Sequence, residues 1–326
     1  MGSPYVNFDI KNNSEKTNFL DDVGYYASKG DKTCAKLEQI IKGKKNKIYY
    51  NVWKSSNALL NNCYLVMITG ANDWSLVNLA KDAQFPRGFP IIWKKGKSIK
   101  MFGFYPKFSN DARKQEPDDD EDFTGVAELD FNYKYSGFLA QVCAFEHNGV
   151  NYWTNCSKNA TSNEFTDRAK MIAPKMTNEF VALLIDSHTH FCGECESKED
   201  QTHGAKVLKE DLIVTCIGIG HSVKKVGSGI VQSGHIYTDG SNYFVDFMDQ
   251  DKMLDFALAN NLSIDGIYKV FSDDGSVTKE FLKLLSKERN FVNLTSFNTM
   301  WEAFSHKYPD NIKFRKGNVN HSDILG

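Results

Sequence analysis

The chain has 326 residues, enough for one large core or two ordinary ones, and its formal net charge of −2 does not indicate a polyanionic partner. Its seven cysteines, an odd number scattered along the chain, argue against a disulfide framework and for a reducing compartment inside the cell, cytoplasmic or nuclear. No apolar run reaches the roughly 18 residues that a transmembrane helix needs, so we expect no membrane segment.

The first 80 residues predict a mixed α/β segment. The stretch "TCAKLEQIIKG" is typical of a helix that ends at Gly43, with Lys42 in the last turn, and "KIYYNVW" predicts a strand. A further helix is predicted by "WSLVNLAKDA". We expect residues 1–80 to pack on a larger domain that spans residues 81–326.

The next part of the chain is rich in predicted strands, several of them separated by Gly or Asn turns. These strands are "GFPIIW", "SIKMFGFY", "GVAELDF", "GFLAQVCAF" and "VNYWTNC". The stretch "FNYKYSGFLAQV", residues 131–142, also reads as one strand, in which Lys134 would be an ordinary solvent-facing position. The basic runs "KGKKNK" and "KKGKSIK" and the acidic run "DDDED" predict solvated loops.

The second half of the chain alternates between helices and strands. Helices are predicted by "FTDRAKMIAP", "DKMLDFALANN", "VTKEFLKLLSKER" and "SFNTMWEAFSHKY", and strands by "HFCGEC" and "DLIVTCIGIG". "EFVALLID" fits either element, and the glycine-rich segment 221–242 predicts irregular or hairpin structure. The chain is therefore expected to be α+β, with a central, largely antiparallel sheet flanked by helices.

Metal-competent residues cluster in "HTHFCGEC", which contains His188, His190, Cys192 and Cys195. Cys-x-x-Cys is a common half-site for zinc. On a strand, however, Cys195 would point away from the face shared by the other three, and these cysteines would then be small apolar core residues. A nucleophilic pair of Cys192 with His203 is a weaker alternative, because no third residue nearby would orient the base.

Another pattern consists of cations and one carboxylate, each within or at the end of an apolar strand-like segment. Its members recur at intervals of about 20 to 36 residues and are Arg87, Lys107, Lys134, Lys158 and Glu194. Together they would build a cationic pocket with an acidic rim, which suits a nucleoside triphosphate.

The order of these landmarks resembles the adenylyltransferase domain of the phage-type RNA ligase 1 family. That family is similar to baculovirus RNA-repair ligases and to the ligase domain of fungal tRNA ligases. Lys-x-x-Gly alone is a weak motif, but "RGFPIIWKKGKSIKMFGFYPKFSN" joins two short motifs through a hairpin of the expected shape. The resemblance covers residues 85–220 well and implies a nucleotidyltransferase domain, an ATP-grasp-like ligase fold of the covalent nucleotidyltransferase superfamily.

The resemblance also implies a role for each landmark. Lys134 would attack the α-phosphorus of ATP and form lysyl–AMP, and Gly137 would let the backbone pass close to the nucleotide. Glu194 would bind the ribose or a water on Mg²⁺ or Mn²⁺. Phosphate contacts would come from Arg87, Lys107 and Lys158. The partners would be RNA ends carrying a 5′-phosphate and a 3′-hydroxyl, and the chain would be fused to, or act with, an RNA end-healing kinase/phosphatase.

Neighbouring cations and partial desolvation suit this role for Lys134, because both lower the pKa of a lysine from its usual value of about 10.4 and favour the reactive amine. Its surroundings depart from the family pattern in two places. The family often has an acidic or polar residue after the lysine and a small one after the glycine, where this chain has Tyr135 and Phe138.

The Glu-Gly and Lys-x-Lys strands of the family also have poor matches. Asp265-Gly266 is the match to the Glu-Gly strand. Lys313 and Arg315 in "NIKFRKGN" are the match to the Lys-x-Lys strand, and they lie about 48 residues beyond Asp265. We therefore expect the chain to be the N-terminal part of a longer ligase that lacks its last strands. Such a fragment could bind nucleotide weakly and be inactive alone. Rival readings are a zinc-stabilised RNA- or protein-binding module, a catalytically inactive nucleotidyltransferase relative and a capping enzyme that uses GTP.

Overall fold

Two antiparallel sheets, packed face to face, form the largest part of the structure. The structure is a computed structural model, and it describes residues 2–43, 48–70, 89–102, 128–131, 135, 137–157, 161, 163–199, 210–219, 224–225, 230–232, 235–237, 242–243, 246–247, 250–287 and 294–319.

The N-terminal sheet has five antiparallel strands in the order β1-β2-β3-β4-β5. They are β1 (Phe8–Lys11), β2 (Ile48–Ser55), β3 (Cys63–Gly70), β4 (Phe89–Lys94) and β5 (Ser98–Met101). Alternate residues of β3 face opposite sides, as the period of a strand requires: Val66 packs under the helices α1 (Lys16–Ser28) and α2 (Lys32–Lys42), whereas Leu65 faces the second sheet.

The central sheet packs its other face against helices. Its strands are β7 (Phe138–His147), β8 (Val150–Cys156), β9 (Thr189–Glu196), β10 (Asp211–Ile219), β15 (Asp246–Phe247) and β16 (Ser263–Ile264). Their order is β15-β10-β9-β7-β8, and only the short β16 is parallel to its partner, β10, among these described strands. The helices are α3 (Glu164–Arg168), α4 (Asn178–Asp186) and α5 (Gln250–Ala259). One core lies between the two sheets and another between the central sheet and these helices.

A third, smaller sheet consists of three antiparallel strands. It has the order β18-β17-β6, built from β6 (Glu128–Phe131), β17 (Ile267–Phe271) and β18 (Ile312–Arg315). The helices α6 (Ser276–Lys287) and α7 (Leu294–Lys307) cover one face of this sheet through an aromatic core that includes Tyr268 and Phe281.

Four short strands form two further pairs, β11 (Lys224–Lys225) with β14 (Asn242–Tyr243) and β12 (Ile230–Gln232) with β13 (His235–Tyr237). The second pair agrees with the hairpin expected in this glycine-rich part of the sequence. In the described residues no helix is both long and apolar enough to cross a membrane.

The predicted α+β class and the antiparallel central sheet are confirmed. "EFVALLID", which fitted either element, is the helix α4. β3, which ends at Gly70, pairs with β4, which begins at Phe89, within one sheet. The helix expected for "WSLVNLAKDA" lies outside the described residues.

The prediction of one strand over residues 131–142 is wrong. β6 ends at Phe131 in the small sheet and β7 begins at Phe138 in the central sheet, and Tyr135 and Gly137 between them are not in a strand. The connection between β6 and β7, which contains Lys134, therefore joins two different sheets. Residues 131 and 138 do not belong to one continuous strand.

Candidate functional site

The predicted site divides into residues that the structure describes and residues that it does not. Gly137 and Glu194 are described. The four predicted cations, Arg87, Lys107, Lys134 and Lys158, lie outside the described residues. The described part of the site therefore consists of Tyr135 and Gly137, which follow Lys134, and of the strands against which these two residues pack.

Gly137 is held directly against β9. Its backbone N–H donates to Glu194 Oε1 at 3.1 Å, and Glu194 is half-buried on that strand. A Cβ on Gly137 would overlap the carbonyl oxygen of Cys195 and come within 3.2 Å of Glu194 Cγ. Glycine is thus required at position 137 because the backbone there passes close to β9. Its predicted approach to a bound nucleotide stays a prediction.

Tyr135 points into the protein immediately after Lys134. Its side chain is only 4 % exposed and packs against Ile213 of β10 and Val319. Asp265, which lies between β16 and β17, is close enough to Tyr135 to act on it electrostatically. Burial, followed by the nearby Asp265 carboxylate, raises the pKa of Tyr135 far above its usual range, so this hydroxyl stays protonated and acts as a donor.

The small sheet brings together three segments that are distant in sequence. β6, which ends three residues before Lys134, pairs with β17, and β17 follows Asp265-Gly266 directly. β17 also pairs with β18, where Lys313 lies opposite Lys269 in the register. The 48 residues that made Lys313 seem too distant are largely α6 and α7, which cover the sheet and return the chain to its edge.

One face of the small sheet carries a network of ion pairs with α5. The Lys269 side chain is 9 % exposed, and its Nζ lies 2.9 Å from Glu128 Oε1 and 3.1 Å from Asp251 Oδ2. Arg315 contacts the same helix, with Nη1 2.8 Å from Asp251 Oδ1 and Nη2 2.6 Å from Asp255 Oδ1. A phosphate that used these cations would have to exchange with carboxylates that already neutralise them.

The hydrogen bond from Arg315, and then that from Lys269, lowers the pKa of Asp251 below its usual value. A carboxyl with a depressed folded pKa stabilises the protein above its unfolded pKa of about 3.9, and this contribution is lost as the pH falls through the folded value. We expect Asp251→Asn to melt about 2–4 °C lower than wild type at pH 7, since the pair is partly exposed and screened, and we expect the gap to narrow as the pH falls below about 3.9.

Thermal unfolding followed by circular dichroism at pH 7, 5, 4 and 3 would measure this effect. Asp273→Asn, at an exposed aspartate outside the network, serves as the control and should follow the wild-type curve. A gap between Asp251→Asn and wild type that stays constant across this range would contradict the assigned ion pairs.

The described side chains of the metal-competent cluster do not converge. His188 precedes β9 in an exposed turn with a φ of 50°, so it is not on the strand. Cys195 belongs to the core under the helices, whereas Cys192 lies near Cys143 on the opposite face, as the strand period predicts. Among the described side chains, no group of three or more His, Cys, Asp or Glu residues could hold a metal, and His203 lies outside them.

The basic run "KKGKSIK" is not simply a solvated loop. Lys94 Nζ donates to the Glu146 carbonyl at 2.9 Å, and Lys100 Nζ donates to the Ala144 carbonyl at 2.8 Å. Both carbonyls lie on β7 beyond Val142, where its pairing with β9 stops. The two lysines therefore satisfy backbone acceptors that the sheet does not reach, and they tie the N-terminal sheet to the central one.

Burial lowers the pKa of Lys100 to about 8. The unfolded chain then holds more protons than the folded one between this value and the usual pKa of about 10.4, so stability rises with pH in that window. We expect the melting temperature of wild type to rise, relative to that of Lys100→Met, from pH 7 to pH 10. A difference between the two proteins that does not change with pH would contradict this assignment.

Lys269 and Asp251 were not identified from the sequence. Only Lys269 lies in a sequence pattern that could have indicated its role. Lys269 interrupts the apolar strand "IYKVF", which is the same pattern of a lysine inside a buried strand that singled out Lys134. Asp251 lies in an ordinary helical pattern, so its pairing with β17 and β18 could come only from the tertiary structure.

The chain was also compared with known proteins. No protein-family model, no curated protein and no solved structure matched it.

Proposed function

We propose that the protein is an ATP-dependent RNA ligase, or the adenylyltransferase portion of one, with a nucleotidyltransferase domain. The observation that supports this most is the small sheet. It joins the strand leading to Lys134, the strand after Asp265-Gly266 and the strand bearing Lys313 and Arg315. The resemblance to RNA ligases calls for a Glu-Gly strand and a Lys-x-Lys strand beside the nucleophile, and the last two of these segments are the poor matches that the sequence offers for them.

The first chemical step forms a bond between the Lys134 Nζ and the α-phosphorus of ATP. The bond from that phosphorus to the bridging oxygen breaks, pyrophosphate leaves with the electron pair, and the amine loses a proton. Arg87, Lys107 and Lys158 are assigned to the phosphates, whose developing charge they would offset. Lys313 extends this set on the exposed edge strand β18.

The described carboxylates fit the ligand chemistry of Mg²⁺, which prefers oxygen and is usually held by one or two carboxylates together with substrate phosphates. Glu194 is half-buried, and its Oε1 already accepts the Gly137 N–H, so its orientation is fixed next to the Lys134 segment. When bound, the metal would neutralise phosphate charge as pyrophosphate leaves. Glu194 is assigned to the ribose or to a water on that metal.

The activated AMP would then pass to an RNA 5′-phosphate. An RNA 3′-hydroxyl would attack that phosphate, release AMP and form the phosphodiester bond. The substrates of the proposed enzyme are therefore ATP and RNA ends with a 5′-phosphate and a 3′-hydroxyl.

The test is covalent labelling. The protein is incubated with α-labelled ATP and Mg²⁺ and run on a denaturing gel, and a second reaction supplies labelled GTP. Label from ATP that survives denaturation supports the proposal, and label from GTP alone would indicate a capping enzyme. Lack of label from either nucleotide would contradict adenylyl transfer by this chain, and stoichiometric zinc by metal analysis would then favour the zinc-stabilised module.

A further inference from the structure

Phe314 is an aromatic residue that the fold leaves open to solvent on the edge strand β18. It is 45 % exposed, and it is the only phenylalanine among the large apolar side chains that are exposed in the described residues. The other exposed aromatic residues there, Tyr25 and Tyr49, end in a hydroxyl that water can solvate. A phenyl ring has no polar group, so Phe314 presents apolar surface that a partner could cover.

The ring of Phe314 is held in place by its neighbours. Phe314 lies opposite Tyr268 in the register of β17 and β18, and the two ring centroids are 4.5 Å apart at an interplanar angle of 32°. A Cβ on Gly266 would overlap the Phe314 ring, so the ring also packs against the backbone there. Tyr268 is in turn packed edge to face against Phe297 and Trp301 of α7. The exposed ring is therefore a preformed flat surface.

The charge along this edge strand is mainly positive. Carboxylates next to the small sheet and α7 are already neutralised, by Lys269, Arg315 and Lys307. From Asp310 to Lys316 the chain has one carboxylate and three cations. Two of these cations, Lys313 and Lys316, are exposed and take part in none of the ion pairs found between described residues. The aromatic surface is therefore flanked by cations that are available to an anionic partner.

The position of the ring relates this surface to the proposed reaction. Phe314 follows Lys313 directly, and Lys313 is assigned above to the phosphates of ATP. Successive residues of a strand point to opposite faces, so the ring and Lys313 lie on the two sides of one edge strand. An RNA end that reaches the activated nucleotide would pass close to Phe314.

We propose that Phe314 and Lys316 form a docking surface for single-stranded RNA, in which one base stacks on the phenyl ring and Lys316 contacts a backbone phosphate. Proteins that bind single strands combine aromatic side chains, on which bases stack, with cations that follow the backbone. The proposal rests on the proposed function for the RNA end that is joined, whereas the binding itself needs no ATP. A lysine on an edge strand can serve only to block strand pairing, but that role gives no reason for an exposed phenyl ring beside it.

The test measures the binding of a fluorescent single-stranded RNA of about 12 nucleotides by anisotropy, without ATP. Phe314→Leu keeps an apolar side chain against Tyr268 but has no ring on which a base can stack, and it should bind about 5- to 100-fold more weakly than wild type. Phe314→Trp, with a larger ring, should bind at least as tightly as wild type. The matched control is Tyr25→Leu, which removes an exposed ring on α1 beside Lys29 and should bind as wild type does.

The contribution of Lys316 is read from the dependence of binding on salt. Each phosphate contact with a single strand contributes about 0.7 to the slope of log K against log salt concentration, so Lys316→Ala should reduce the slope by about 0.7. Lys29→Ala, which also removes a lysine near an exposed aromatic ring, should leave the slope unchanged. All variants are compared at a temperature at which circular dichroism shows them to be folded.

RNA that binds Phe314→Leu as tightly as wild type would overturn the docking surface, and so would wild-type protein that does not bind RNA. Labelling of wild type by ATP would still decide the proposed function in either case, because that reaction needs no RNA. RNA binding that depends on Phe314 in a protein that takes no label would support the surface and contradict the proposed function. A wild-type dimer that Phe314→Leu dissociates, seen by sedimentation velocity, would show that a second copy covers the ring and would overturn the RNA surface.

Discussion

Lys134→Ala is expected to retain no label after incubation with α-labelled ATP and Mg²⁺. Alanine has no amine, so the bond to the α-phosphorus cannot form, and the loss should be at least about 10³-fold. Lys134→Arg should be equally inactive, because a guanidinium stays protonated at any accessible pH. Folding should be unchanged in both variants, since the described anchors of the segment, Tyr135 and Gly137, are untouched.

The control for this experiment is a lysine away from the small sheet. Lys32 is exposed at the start of α2, on the outer side of the N-terminal sheet, and Lys32→Ala should label as wild type does. Label that persists in Lys134→Ala would show that another residue takes the AMP, and it would contradict the assignment of Lys134. Digestion of the labelled wild-type protein would locate the modified residue directly.

Most elements were predictable from the sequence because their signals are local. The strands β7 and β8 are joined by an Asn-Gly turn, in which Asn148 and Gly149 both have positive φ. The helix α2 follows Asp31, whose side chain caps it, and ends at Gly43 as expected. In such segments the residues that decide the structure lie within a few positions of one another.

The small sheet was not predictable in the same way, because its strands come from three distant segments. Nothing in "ELDF" indicates that it pairs with "IYKVF" rather than with β7, which follows it in the sequence. The long separation in sequence between Asp265 and Lys313 suggested that they do not share a site. In the structure, α6 and α7 occupy much of this interval. Pairing between distant strands depends on the whole tertiary structure, which no local pattern contains.

The interrupted strand at Lys134 was missed for a related reason. Bulky residues on both sides of Lys134 satisfy a strand pattern, yet the ring of Tyr135 turns into a pocket made by Ile213 and Val319. Gly137, three residues after Lys134, was the one local sign of a break, because a glycine within a strand pattern often marks a close backbone approach.

Gly137→Ala is expected to destabilise the protein strongly. The added Cβ would meet the Cys195 carbonyl oxygen, which is backbone in the middle of the central sheet and cannot move aside as a side chain could. Relieving the overlap would displace the connection between β6 and β7, at a cost of about 2–3 kcal/mol in the free energy of unfolding. The melting temperature should fall by several degrees, and labelling by ATP should slow at least about 10-fold for the protein that remains folded.

The matched control is Gly24→Ala, because a Cβ at that position in α1 would meet only the flexible end of the Glu38 side chain, at 3.1 Å. Alanine favours a helix over glycine by about 1 kcal/mol, so this variant should be as stable as wild type or more so. If Gly137→Ala melts like wild type, the backbone is not pressed against β9. If it is destabilised but labels at the wild-type rate when folded, the glycine serves the fold alone, and the contact with β9 does not set the rate of the reaction at Lys134.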